Sequence, residues 1–210
     1  MPGDPTSSLL DPRFSPEAKH ELLKSYGLDK PLSQQFFIYV KQMLTFKFGI
    51  SFMSQRPVWQ ELAERLPNTL LLLFPALLLS AVLGILLGVA AAKGRGGLVE
   101  KTVLLSGAIS FSFPSFFVQL VLLLLLAHAF PIFPLRGSLS VPPPVGFWNL
   151  VTDKIWHMTL PVASLVLLGF GSWALYVRNL MVKALGEDFI LLARAKGLRE
   201  SRILWRHAFR

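Results

Sequence analysis

Cysteine is absent from the chain. That excludes disulfides, thiolate catalysis and cysteine-ligated metal, and says little about compartment. Charge is scarce as well: only 16% of the 210 residues are Asp, Glu, Lys or Arg, against roughly a quarter in soluble domains. No phosphate-binding loop occurs, so any ATP must be bound by another chain. There is no internal repeat and no low-complexity linker. What is present is apolar, with 53% hydrophobic residues and a mean hydropathy of +0.54. The formal net charge of +9 suggests nucleic acid or, more economically, basic residues that hold one flank at an anionic leaflet.

Three charge-free windows are long enough to cross a bilayer as helices, which takes ~20 apolar residues. They cover about 66–92, 102–130 and 155–177. The charge-free run of the second continues to Leu135, with a loop expected from Phe130. Pro75, Pro114 and Pro161 lie inside these windows and predict kinks. Lys93, Arg95 and Lys101 fill the first link. Arg178, Lys183, Arg194, Lys196, Arg199, Arg202, Arg206 and Arg210 follow the third window. The second link, Pro131 to Lys154, offers only Arg136 and Lys154, and its Pro142-Pro143-Pro144 run and Phe147-Trp148 suit an external loop at the interface. The positive-inside rule then puts the first link and the tail in the cytoplasm. The expected organisation is an external segment 1–65, a transmembrane region 66–182 and a cytoplasmic loop 183–210.

An external amino-terminal region requires a signal peptide or a preceding span, and Met1-Pro2-Gly3-Asp4-Pro5 offers neither. A further span upstream is therefore expected. At the other end the sequence stops at Arg210 within a helical pattern, so more chain is expected there too. Within the external segment, Ser15-Pro16-Glu17-Ala18 reads as a helix start, ending near Tyr26-Gly27. Pro31 to about Leu44 carries Phe36, Phe37, Tyr39, Val40, Met43 and Leu44 around Lys41, a pattern for a helix lying at the interface.

The tail holds a short charged helix-turn-helix pattern. Glu187 and Asp188 complement the positive end of a helix dipole. Phe189, Leu192, Ala193 and Ala195 follow, and Gly197 ends the helix as a left-handed cap. A second helix is expected from Glu200 or Ser201, one of which serves as its cap. The small residues Ala193, Ala195 and Gly197 leave room for another protein to approach closely; the competing reading is an amphipathic helix parallel to the membrane.

In the second window, Ser112, Ser115 and Gln119 share one helical face, with Ser106 and Ser110 on a neighbouring stripe. Such groups face protein or water rather than lipid, either lining a path or bonding neighbouring helices. His128 and His157 fall near external span ends without a third ligand, so no metal site is assigned. Gly169-Phe170-Gly171-Ser172 superficially suits an intramembrane serine hydrolase, but small-residue helix packing explains it better.

The tail resembles the cytoplasmic signature loop of binding-protein-dependent ABC importer permeases, written E-A-A, three residues, G. Ala193 and Gly197 fall on its second alanine and glycine, while Leu191 and Leu192 replace the glutamate and first alanine. Ala193-Arg194-Ala195-Lys196-Gly197-Leu198 is similar to the variant in the dipeptide, oligopeptide and nickel subfamily. So, in order along the chain, are Pro2-Gly3-Asp4-Pro5, Tyr26-Gly27-Leu28-Asp29-Lys30-Pro31, Glu64-Arg65-Leu66-Pro67-Asn68-Thr69, Ser112-Phe113-Pro114-Ser115-Phe116 and Thr159-Leu160-Pro161. Members often have serine where Arg199 stands, and the I-x-L-P end of the motif is absent.

The resemblance implies an all-α, polytopic fold of the type I ABC importer permease, with three transmembrane helices in this chain and no catalytic residues, metal or cofactor of its own. It implies a coupling helix, with Asp188, Ala193, Arg194, Ala195, Lys196 and Gly197 against a soluble ATP-binding subunit. A second permease subunit, an external substrate-binding protein and the lipid bilayer complete the implied partners; nucleic acid is not among them. The implied location is the inner or plasma membrane, and the implied cargo is short peptides, with nickel and other small solutes open. Two alternatives remain on the residues alone: a membrane-anchored interaction protein with a basic tail, and an intramembrane hydrolase built on Ser172.

Overall fold

The computed structural model describes residues 30–51, 54 and 56–209. The Pro-Gly-Asp-Pro element, the helix start at Ser15 and the stop at Tyr26-Gly27 lie outside them. Among the described residues the regular elements are helices, apart from an isolated bridge between Ile50 and Pro57. The chain divides into two units, Met1–Thr69 and Leu70–Arg210.

In the first unit, α1 (Leu32–Leu44) forms where the apolar pattern after Pro31 predicts it and buries none of its residues. Its Phe36, Phe37, Tyr39 and Leu44 are exposed, as suits a helix meant for an interface. The segment after it folds back through the Ile50–Pro57 bridge. Phe48 stacks on Trp59 with ring centroids 6.2 Å apart, and Arg56 pairs with Glu64. α2 (Val58–Lys93) starts here and continues into the second unit.

The second unit contains the rest of α2, then α3 (Leu98–Ser112), α4 (Ser115–Leu123) with a π-helical continuation Leu124–Ala129, and α5 (Phe147–Leu185). α6 (Asp188–Ala195) and α7 (Glu200–Arg202), the latter continued by a π-helical turn Ile203–Ala208, complete it. α2 and α5 are each long and apolar enough to cross a membrane. At 39 residues, α5 measures about 58 Å against a ~30 Å hydrocarbon core, so its ends reach beyond the apolar layer.

Two sequence expectations need correcting. Phe147 and Trp148 are not loop residues but the first turn of α5, which begins eight residues before the charge-free window. Asp153 and Lys154 interrupt the apolar run without interrupting the helix. The second window is not one straight helix: its axis turns through 95° between Leu98–Ser110 and Ser115–Ala129. Pro114 drives its predecessor out of the helical region, and Phe113 accordingly sits at φ −105° and ψ 140°. Pro161, by contrast, is accommodated within α5.

Small residues bring the helices together. Ala76, Ser80, Gly84, Gly88 and Ala92 recur every four residues along one side of α2 and are all buried. A Cβ on Gly84 would lie 2.7 Å from the Phe170 carbonyl oxygen of α5, and one on Gly88 2.7 Å from that of Ala174. On α3, Gly107 meets Gly171 of α5 in the same way, a Cβ on Gly171 coming within 2.9 Å of the Gly107 Cα. Backbones this close gain dispersion contacts that lipid cannot replace, the usual basis of helix association in membranes. Gly169-Phe170-Gly171 is therefore packing surface, and Ser172 is exposed.

Candidate functional site

The charged tail folds into α6, a turn and α7. Glu187 takes the extended N-cap conformation without a side-chain cap bond, and Asp188 occupies the first turn. Gly197 has φ +74°, the left-handed conformation that glycine adopts without penalty. The Leu198 N–H donates to the Ala193 carbonyl at 3.3 Å and the Gly197 N–H to that of Arg194 at 2.9 Å. These two bonds make a Schellman motif. Its hydrophobic contact is present too, since Leu198 packs against Ile190, Ala193 and Ile203.

The second helix starts at Glu200, as expected, but its cap differs from expectation. Its N-cap is Arg199, with no side-chain cap bond, so neither Glu200 nor Ser201 is the cap. Glu200 instead accepts a hydrogen bond from Arg194 Nε at 3.0 Å, bracing the turn from outside.

α6 has two apolar faces. Ile190 and Ala193 are buried against Ile203. Phe189, Leu191 and Leu192 are half or more exposed, at 50%, 58% and 57%. Asp188, Arg194, Ala195, Lys196 and Gly197 are exposed as well. Of the residues singled out for docking, only Ala193 points into the protein, at 5% exposure. The exposed apolar side chains, two of them (Phe189 and Leu192) read from the sequence but none assigned to docking, therefore stand out on the outer face.

The inner face leads onward. Leu204, next to Ile203, is buried among Val89 and Ala92 of α2 and Val177 and Met181 of α5. Adjacent residues of one turn thus join α6 to the two long helices. A second tie was also missed in the sequence: Arg178 of α5 pairs with Glu100 at the start of α3, its Nε 2.8 Å from Glu100 Oε1 and its Nη2 closer still. Glu100 also accepts the Gly96 N–H at 2.6 Å, and Arg178 donates to Asn179 Oδ1 at 2.8 Å. In the sequence both residues merely close apolar windows. Their partnership spans 78 positions and has no local signal.

The supposed polar face of the second window is broken by the turn at Pro114. Ser112 ends α3 and donates to the Ala108 carbonyl at 2.9 Å. Ser106 and Ser110 likewise donate to carbonyls of their own helix. Ser115 starts α4 and is exposed, whereas Gln119 lines a cavity between α4 and α5. His157 lines the same cavity, and no group of metal-ligating side chains occurs among the described residues.

Residues 84–210 match the model of the family described as binding-protein-dependent transport system inner membrane component. The chain belongs to that family. This binding-protein-dependent transport component is 37% identical over 211 residues to the dipeptide transport system permease protein DppB of Lactococcus lactis subsp. cremoris, across 100% of this chain and 64% of the relative. It is 32% identical to the di/tripeptide transport system permease protein DppB of Pseudomonas aeruginosa, across 100% of this chain and 67% of the relative. The oligopeptide transport system permease protein AppB of Bacillus subtilis is 30% identical, with 100% and 65% covered. The chain therefore spans about two thirds of the length of the curated relatives it matches. The family description and the long apolar helices agree on an inner-membrane, helical protein, and the relatives are named as transport permeases rather than enzymes.

Proposed function

We propose that this chain forms the membrane core of a permease subunit in an ATP-driven importer of short peptides, and that α6 is its coupling helix. The observation that carries this reading is the division of α6 into two faces. Phe189, Leu191 and Leu192 stand exposed beside the charged Asp188, Arg194 and Lys196, while Ile190 and Ala193 are fixed from behind by Ile203. An exposed apolar patch rimmed by charge marks a protein or membrane contact, and in the coupling reading it is the former. A push on it reaches α2 and α5 through Leu204.

In this reading the basic end of the bundle is cytoplasmic and the bent α3–α4 pair is the third span. ATP-binding subunits dock on α6, a second permease completes the path, and an external binding protein delivers cargo. The peptide class is supported by the relatives' names. Asp188, Arg194, Ala195, Lys196 and Gly197 contact the ATP-binding subunit directly, and Ala193 sets the helix on its support.

The test is site-directed crosslinking in membranes, with the partner subunits expressed. A single cysteine replacing Leu192 should capture an ATP-binding subunit, whereas one replacing Ala193 should react slowly with a maleimide. Capture of lipid alone, or of nothing, by the Leu192 position would reduce α6 to an interfacial helix and remove the coupling assignment.

A further inference from the structure

A cavity of about 650 Å3 opens where α4 and α5 meet the 131–146 loop. Its volume falls in the ~300–1,000 Å3 range of small-molecule sites. Most of its wall is apolar, with Phe116, Leu160 and Leu165 among its members. Besides Ser164, whose hydroxyl already donates to the Pro161 carbonyl oxygen at 2.7 Å, three side chains supply polarity: Gln119 from α4, Arg136 from the loop and His157 from α5.

Arg136 decides the chemistry. It is the sole charged residue of the loop. None of the ion pairs or side-chain hydrogen bonds among the described residues includes it. Asp153, the acid at this end of α5, is already engaged, because the Ser140 N–H and hydroxyl donate to its two oxygens at 2.7 and 2.6 Å. A guanidinium at the rim of an apolar cavity, without a carboxylate of its own, is a two-pronged donor for one.

The other two groups add direction. His157 Nδ1 lies 2.8 Å from the Asp153 carbonyl oxygen. A proton on Nδ1 is donated there, which leaves Nε2 as an acceptor. The ring is well fixed, with its side chain only 5% exposed. Gln119, also without a hydrogen bond among the described residues, presents both a donor and an acceptor. Apolar wall, one unpaired cation, one imidazole acceptor and one amide together match a short peptide with a free carboxyl end.

We infer that this cavity is a transit site for short peptides, in which Arg136 holds the terminal carboxylate while the side chains lie on the apolar wall. His157 and Gln119 meet the peptide's backbone amides. The inference rests on the peptide-import reading above, and it places cargo recognition in the membrane subunit itself. Arg136 stands in the loop that the charge distribution assigns to the outside.

The experiment uses the complete permease–ATPase assembly in liposomes, without its external binding protein. Equilibrium dialysis measures binding of labelled dileucine and of dileucine amide to the wild type, Arg136→Gln and Arg136→Lys. Arg136→Gln should weaken dileucine by ~10-fold or more, the scale of one charge-assisted bond, and leave the amide within about twofold. Arg136→Lys should fall between. Equal losses for acid and amide, no loss at all, or no binding of dileucine to the wild type would each overturn the site. Uptake by the assembly with its binding protein is measured in parallel. Uptake that persists while the dialysis result fails sinks the cavity alone, whereas a wild type that imports no peptide sinks the import reading.

Discussion

Gly88→Ala is the sharpest probe of how this bundle is held together. The new Cβ would sit 2.7 Å from the Ala174 carbonyl oxygen and 2.8 Å from the Val177 Cβ, where relaxed carbon contacts lie at ~3.5–4.0 Å. Relief requires α2 and α5 to part by roughly 1 Å, which forfeits a quarter to a half of the dispersion energy along that seam. Overpacking of this kind costs ~1–3 kcal/mol. Alanine recovers ~1 kcal/mol by its better helix propensity. From the middle of that range a net loss of ~1 kcal/mol is expected, and a larger one for Gly88→Leu. Gly94→Ala is the control, since a Cβ there has its nearest neighbours at 3.4 and 3.6 Å. The assay is SDS-induced unfolding of the detergent-solubilised protein, followed by circular dichroism. A Gly88→Ala protein as stable as the wild type, or more so, would show that propensity wins and that α2 and α5 are not packed through this face.

Two further outcomes follow from the geometry. Reversing Arg178 to glutamate should lower uptake and the yield of assembled transporter. The double exchange Glu100→Arg with Arg178→Glu should restore only part of both, because an arginine at position 100 cannot accept the Gly96 N–H; full restoration would show that charge attraction alone matters there. Gly197→Ala should cost ~1–2 kcal/mol through its left-handed backbone, since no atom lies within 4 Å to clash. Gly197→Asn should cost less, and limited proteolysis of the α6–α7 turn would rank the two.

Much of this molecule could be read from residue order. The apolar windows located α2 and α5, the pattern after Pro31 located α1, and Gly197 marked the end of α6. Hydropathy was blind where charge and helix part company, which is why the expected third span began at residue 155 although α5 begins at Phe147. It was equally blind to the direction of the chain across Pro114, because an apolar window looks the same straight or bent. On α6 both faces are apolar, Ile190 and Ala193 on one and Phe189 and Leu192 on the other. Periodicity therefore could not tell the supporting face from the free one. The Glu100–Arg178 pair and the company kept by Arg136 depend on contacts between distant segments, which no local pattern encodes.

Because Ile190 and Ala193 are committed to the inside of α6, its exposed apolar residues are free of duty to the fold. Phe189, Leu191, Leu192 and Lys196 can be exchanged without disturbing the bundle behind them, whereas Arg194 stays, because it donates to Glu200 across the turn. The proposed coupling helix thus has the design of a standard shaft with a changeable outer face. In the coupling reading proposed above, re-matching it to a foreign ATPase becomes a matter of rewriting a handful of side chains on one two-turn helix.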